Sequence, residues 1–217
     1  MTAAVAEGRR VFDNVRRFVG YGLAGGLSEV LVMLLGPFLG LALPPLLPAQ
    51  VLWVNLLTHG PVGVAMGGEP AAPDVLSRRP RDPATGVLDR SLVTQLVANG
   101  LALTTVCLAV AAWSLSAGGP WQTQLFVTLS VGQLGLALAL RPAGAWSGGS
   151  PWLPIAVAGN LILLAAAVLL PGLTDLLGTE PLSVSETLLA VGPAVLPGAL
   201  VLLIRAVRRP DLHAGAE

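Results

Sequence analysis

The sequence predicts an all-α, polytopic membrane protein, a bundle of six transmembrane helices. Three observations carry that expectation. Of 217 residues, 54% are hydrophobic and 11% charged, with a mean hydropathy of +0.77; an ordinary soluble domain carries ~25% charged residues. The apolar residues gather in stretches that each approach the ~20 residues a helix needs to cross a ~30 Å hydrocarbon layer. All twelve basic residues are arginines, and they occupy only alternate connections between those stretches.

The chain begins MTAAVAEGRRVFDNVRRF, too polar for the apolar core of a signal peptide and followed by a full-length span. Residues 1–17 therefore read as a cytoplasmic basic stalk carrying Arg9, Arg10, Arg16 and Arg17. The first span, 18–41, contains Gly22, Gly25 and Gly26, which permit close helix approach, and Glu29, an acidic residue well inside the apolar stretch. A proline-rich outer connection leads to the second span, 47–66, which carries Asn55, Thr58 and His59 followed by Gly60-Pro61. Pro61 has no backbone donor and clashes with the carbonyl of Leu57, so the middle of this span is expected to unwind or kink. The third to sixth spans are expected at 92–113, 121–140, 152–170 and 186–204, closing a six-helix domain over 18–205 and leaving 206–217 as a cytoplasmic tail. Twenty-six glycines and eighteen prolines fit this class, because neighbouring membrane helices satisfy disturbed backbone groups.

The arginines set the orientation. They lie before span one, between spans two and three (Arg78, Arg79, Arg81, Arg90), between four and five (Arg141), and at the end of six (Arg205, Arg208, Arg209). That positive-inside pattern puts both termini in the cytoplasm of a multi-pass cell-membrane protein. Trp113 and Trp121 mark the outer boundary, and Trp146 and Trp152 the inner one. The connection over 68–90 alternates prolines, acids and arginines, and reads either as a docking loop or as a solvated connector.

Charge and motifs exclude several functions. Zero net charge argues against nucleic acid as a partner, which leaves the lipid bilayer. The single cysteine, Cys107, offers no disulfide or thiolate metal site and reads as a packing residue. There is no GxxxxGK[ST], no HExxH and no paired catalytic carboxylates, so the chain itself shows no ATP-coupling machinery, no catalytic residues and no cofactor site.

The polar groups inside the spans carry the functional reading. A carboxylate at Glu29 is costly in a membrane and faces a bundle interior or a wet cavity, either as a cation ligand or proton carrier or as a neutral hydrogen-bonded group. Asn55 and Thr58 offer oxygen to a hard cation, or hydrogen bonds between helices. His59 suits a transition metal or proton transfer, or packs as a neutral ring. At i, i+3 and i+4 these three share one helical face. The single amides Asn99, Gln133 and Asn160 are expected to pack or hydrogen-bond structurally, with Gln133 within reach of the same interior. Glu186 suits the start of the last helix, where the dipole favours negative charge.

Four segments share a family likeness: EGRRVFDNVRRFVGY (7–21), LPAQVLWVNLLTHG (47–60), EPAAPDVLSRRPRDP (69–83) and FVTLSVGQLGLALALR (126–141). They resemble the C-terminal membrane region of P-type cation-transporting ATPases, the calcium-pump-like branch, with the six spans matching its fifth to tenth helices. The resemblance implies that Glu29, Asn55 and Thr58 stand where that family binds its cation. It also implies two departures. Gly26 stands where calcium pumps place an asparagine ligand, and His59 stands in place of the aspartate of the LWxNLxTDG pattern. Neither DKTGT nor TGDGxNDxPAL occurs, so the resemblance implies a fragment of a pump, a split subunit whose ATPase motor a separate chain carries, or a relic. The expected function is part of an ion pathway without ATP hydrolysis, the transported cation being unidentified. A non-catalytic structural or partner-binding bundle and a passive cation or proton channel stand as the alternatives.

Overall fold

A computed structural model describes residues 2–77, 86–142 and 149–207. Among the described residues the regular structure is entirely helical: α1 (Thr2–Leu35), α2 (Pro48–Trp53), α3 (His59–Gly67), α4 (Arg90–Ser116), α5 (Trp121–Ala139), α6 (Trp152–Leu169), α7 (Pro171–Leu177), α8 (Val184–Ala194) and α9 (Leu196–Val207). Four segments are long and apolar enough to cross a membrane: Thr2–Leu39, Arg90–Ser116, Trp152–Leu169 and Val184–Val207. They fall on the expected first, third, fifth and sixth spans.

The other two expected spans are helical but differ in kind. The second is assembled from α2, a π-helical turn over Val54–Thr58, and α3. Of the two expectations for the middle of this span, unwinding or a kink, the backbone does not unwind at Gly60-Pro61. Pro61 instead falls in the first turn of α3, where a missing donor is tolerated, and the preceding turn widens so that the His59 amide donates to the Val54 carbonyl. The fourth expected span is α5, which carries Gln122, Gln124 and Gln133 and is the most enclosed element. It packs against α1, α4, α6, α8 and α9. A helix ringed by other helices need not be lipid-soluble on any face, so its polar side chains stay inside: Gln124, Thr128 and Gln133 are fully buried.

Two further differences concern the ends. The last span divides at Val195 into α8 and α9, with Pro193 and Pro197 on either side of the break. The connection expected as an outer loop before it contains α7. Glu186 stands in the first turn of α8, where it closes a capping box: the Ser183 amide donates to its carboxylate at 2.7 Å, and its own amide donates to Ser183 Oγ at 3.3 Å.

The core is two apolar clusters stacked along α5. One is built around Leu103, Cys107, Phe126 and Leu129, the other around Tyr21, Val62, Leu136 and Leu153. Cys107 is fully buried, as a packing residue should be. Close backbone approach ties the elements. A Cβ on Gly198 of α9 would lie 2.9 Å from the Gly135 carbonyl of α5, so only glycine fits. Such contacts matter because lipid tails are as apolar as leucine, and helices in lipid associate through packing and polar bonds.

At one end of the bundle the described arginines gather in a polar network. Arg141, after α5, donates two bonds to the Glu69 carboxylate at 3.1 and 3.2 Å, both side chains almost fully buried. Arg141 also donates to the Ser150 carbonyl at 2.8 Å, before α6. Arg205 of α9 donates to the carbonyls of Ala139 and Arg141. From the stalk part of α1, Asn14 donates to the carbonyls of Gly67 and Glu69, Arg10 to that of Glu69, and Arg9 to that of Val75. Arg16 pairs with Asp89, the N-cap of α4, at 2.6 Å. Both described ends of the 68–90 connection are thus tied to α1 and are not a free connector. Arg78, Arg79, Arg81, Trp146, Arg208 and Arg209 lie outside the described residues. Trp113 and Trp152 are two-thirds exposed on the bundle surface, as interfacial anchors require.

Candidate functional site

Glu29 lies in the second half of α1 and is 6% exposed. Its carboxylate receives one amide from each of two other elements. Asn55 Nδ2, from the π turn, donates to Oε2 at 2.7 Å. Gln133 Nε2, from α5, donates to Oε1 at 3.1 Å. The widened turn explains the first contact: it holds Asn55 beside α1, where its amide also donates to the Val51 carbonyl at 2.9 Å. The second contact brings Gln133 to the interior that the sequence put within its reach, through a hydrogen bond. It shares the carboxylate with Asn55.

Four residues along each helix from the Glu29–Asn55 contact, Gly25 faces His59. A Cβ at Gly25 would lie 2.6 Å from His59 Nε2 and 3.1 Å from Gln133 Nε2. The glycine is therefore the notch that admits both side chains. The imidazole packs edge-on against Tyr21, with ring centroids 5.2 Å apart and planes at 89°. Thr58 is 2% exposed. Thus Asn55 joins Glu29 directly and His59 lines the adjoining turn of α1. Gly26, by contrast, faces open space, with nothing within 4 Å of a built Cβ.

The neighbourhood holds several buried polar atoms with no partner among the described residues: Tyr21 Oη, Ser28 Oγ, His59 Nε2 and Gln133 Oε1. Each such atom carries a desolvation cost, and such groups are sparse in folded interiors. Among the described residues no group of three or more His, Cys, Asp and Glu side chains could hold a metal ion. A cation here would therefore be held by one carboxylate together with amide, hydroxyl and carbonyl oxygens, the ligand set of a hard ion. Rotating either amide by half a turn would present its oxygen where its nitrogen now meets Glu29. On the outer side of α2, a cavity of about 410 Å³ lined by Met33, Pro44, Leu46, Val51 and Leu52 reaches Asn55.

Comparison with known proteins shows the family. The family described as "Cation transporting ATPase, C-terminus" matches residues 43–207. The chain is similar to the calcium-transporting ATPase of Bacillus subtilis, 30% identical over 92% of this chain and 23% of that protein. It is similar to the probable cation-transporting ATPase F of Mycobacterium bovis, 33% identical over 84% of this chain and 21% of that protein. It also resembles a sodium/potassium exporting P-type ATPase of Schizosaccharomyces pombe, 35% identical over 48% of this chain and 10% of that protein. The chain thus spans less than a quarter of the length of the curated relatives it matches. With a family match across most of its length, on an all-helical fold with spans apolar enough for a membrane, the chain belongs to the cation-transporting ATPase C-terminus family.

Proposed function

We propose that this chain contributes the cation pathway of an ATP-driven P-type pump. It crosses the cell membrane six times with both termini cytoplasmic, and the motor domains lie elsewhere. The observation that carries the proposal is the Glu29 carboxylate, buried where α1, the π turn and α5 meet and held by amides from the latter two. Two N–H donors stabilise the carboxylate. With a cation present, Glu29, Asn55, Thr58 and Gln133 supply oxygens, and His59 fills the place of a further carboxylate. Because His59 brings no oxygen and no negative charge, the pathway carries less charge than a site with two carboxylates, which disfavours calcium.

The gathering of the described arginines at one end supports the cytoplasmic assignment of that end. The other wall of the site supports a covering partner. Leu52, Leu56 and Val64 recur on one stripe of α2–α3 beside Asn55 and are 63–81% exposed. Helices belonging to the motor-bearing polypeptide would close that side.

The test is affinity purification of the full chain from native membranes with identification of co-purifying polypeptides, followed by uptake measurements in vesicles. A partner carrying a phosphorylatable aspartate and nucleotide-binding domain is expected, and Glu29→Gln should abolish ATP-driven cation uptake by the assembly. Uptake unchanged by Glu29→Gln would refute the pathway and favour a purely structural bundle.

A further inference from the structure

At the arginine-bearing end, α4 and α9 diverge and leave a cavity of about 480 Å³ open to the surface. Its two walls differ in chemistry. On α4, Ser91, Gln95 and Asn99 recur every fourth residue and so form one polar stripe. On α9, Val201 and Ile204 present a shorter apolar stripe. An arginine stands on each wall, Arg90 on α4 and Arg205 on α9, and among the described residues no acidic side chain lines the cavity. Arg205 is held in place by its bonds to the Ala139 and Arg141 carbonyls. The nearby carboxylate, Asp89, is engaged by Arg16 and by the Leu92 amide.

A second observation points into the same space. Asn99, 8% exposed, is among the residues that border the cavity. Its side-chain amide offers two donors to a ligand bearing acceptors.

We infer that this groove is a binding site for an anionic phospholipid. The phosphodiester sits between Arg90 and Arg205, ester or headgroup oxygens accept from Gln95 and Asn99, and an acyl chain runs along Val201 and Ile204. A phosphate group next to an apolar stripe is the chemistry of a lipid at the bilayer surface, and basic clefts between membrane helices suit such headgroups. The inference goes beyond the pump reading and requires only that α4 and α9 cross the bilayer. Inorganic phosphate shares the headgroup chemistry but has nothing to place on the apolar wall.

The experiment is native mass spectrometry of the delipidated full chain in mild detergent, titrated with phosphatidylglycerol, with phosphatidylcholine, or with sodium phosphate. Phosphatidylglycerol should be retained at least tenfold better than phosphatidylcholine. Arg90→Gln, a change at an exposed residue, should weaken that retention about fivefold, the contribution of one arginine near an anionic surface. Gln95→Leu should weaken it without changing the salt dependence. Equal retention of the two lipids, or retention unaffected by Arg90→Gln, would overturn the inference. So would displacement of the lipid by sodium phosphate at equal concentration, which would make the groove a soluble-anion site.

Discussion

Replacing Arg141 by methionine should destabilise the bundle far more than replacing Arg141 and Glu69 together. The two side chains are 3% and 2% exposed, and both Glu69 carboxylate oxygens are taken by the guanidinium. Arg141→Met leaves that carboxylate buried without its counter-charge, a loss of ~3–5 kcal/mol. It also removes the bond to the Ser150 carbonyl, worth ~1 kcal/mol. In the double variant Glu69→Leu/Arg141→Met the uncompensated charge is gone, and apolar replacement of a whole buried pair is often near neutral. The double variant should therefore lose ~1–2 kcal/mol, which implies a coupling of at least ~3 kcal/mol between the two positions. Detergent-driven reversible unfolding in mixed micelles, followed by far-UV circular dichroism, gives all four corners of the cycle. Additive losses, with the double variant at the sum of the singles, would refute the argument that the pair acts as a desolvated unit.

The remaining predictions use the same assay. Gly25→Ala puts a methyl group against His59 and Gln133 and should cost ~1–3 kcal/mol. Adding His59→Ala should recover most of it, and no recovery would mean that the notch is not what admits the ring. Gly198→Ala meets backbone at Gly135, which cannot swing aside, and should also cost ~1–3 kcal/mol. Gly26→Ala, with open space around it, should be neutral or stabilising by up to ~1 kcal/mol through helix propensity.

The sequence made the helical membrane class legible because apolar length and the placement of arginine are properties of the chain itself. Glu29 and Asn55 were legible for a related reason: polar groups inside apolar spans have few places to go except toward one another, and these two meet at 2.7 Å. Three features were not legible. The π turn depends on how the chain relieves Pro61 in three dimensions, and local propensity alone left an unwound or a kinked middle open. Gln133 stands within reach of the interior, but its particular contact is not marked: Asn160 bonds its own helix at Ala156 while Gln133 crosses to Glu29. That difference arises from the central position of α5. The Glu69–Arg141 pair joins two connections 72 residues apart, and nothing local marks either member as buried. The division of the last span at Val195 was signalled by Pro193 and Pro197, but each proline alone is compatible with a kinked continuous helix.

The central claim is that Glu29 anchors a cation inside this bundle. Equilibrium binding of radiolabelled or fluorescently reported sodium, potassium, calcium, manganese and zinc to the full chain in lipid nanodiscs tests it directly. The account predicts saturable binding of at least one of these cations, weakened tenfold or more in both Glu29→Gln and Asn55→Ala, with weaker binding of calcium than of the preferred ion. Binding that is absent in the wild type, or identical in wild type and Glu29→Gln, would contradict it.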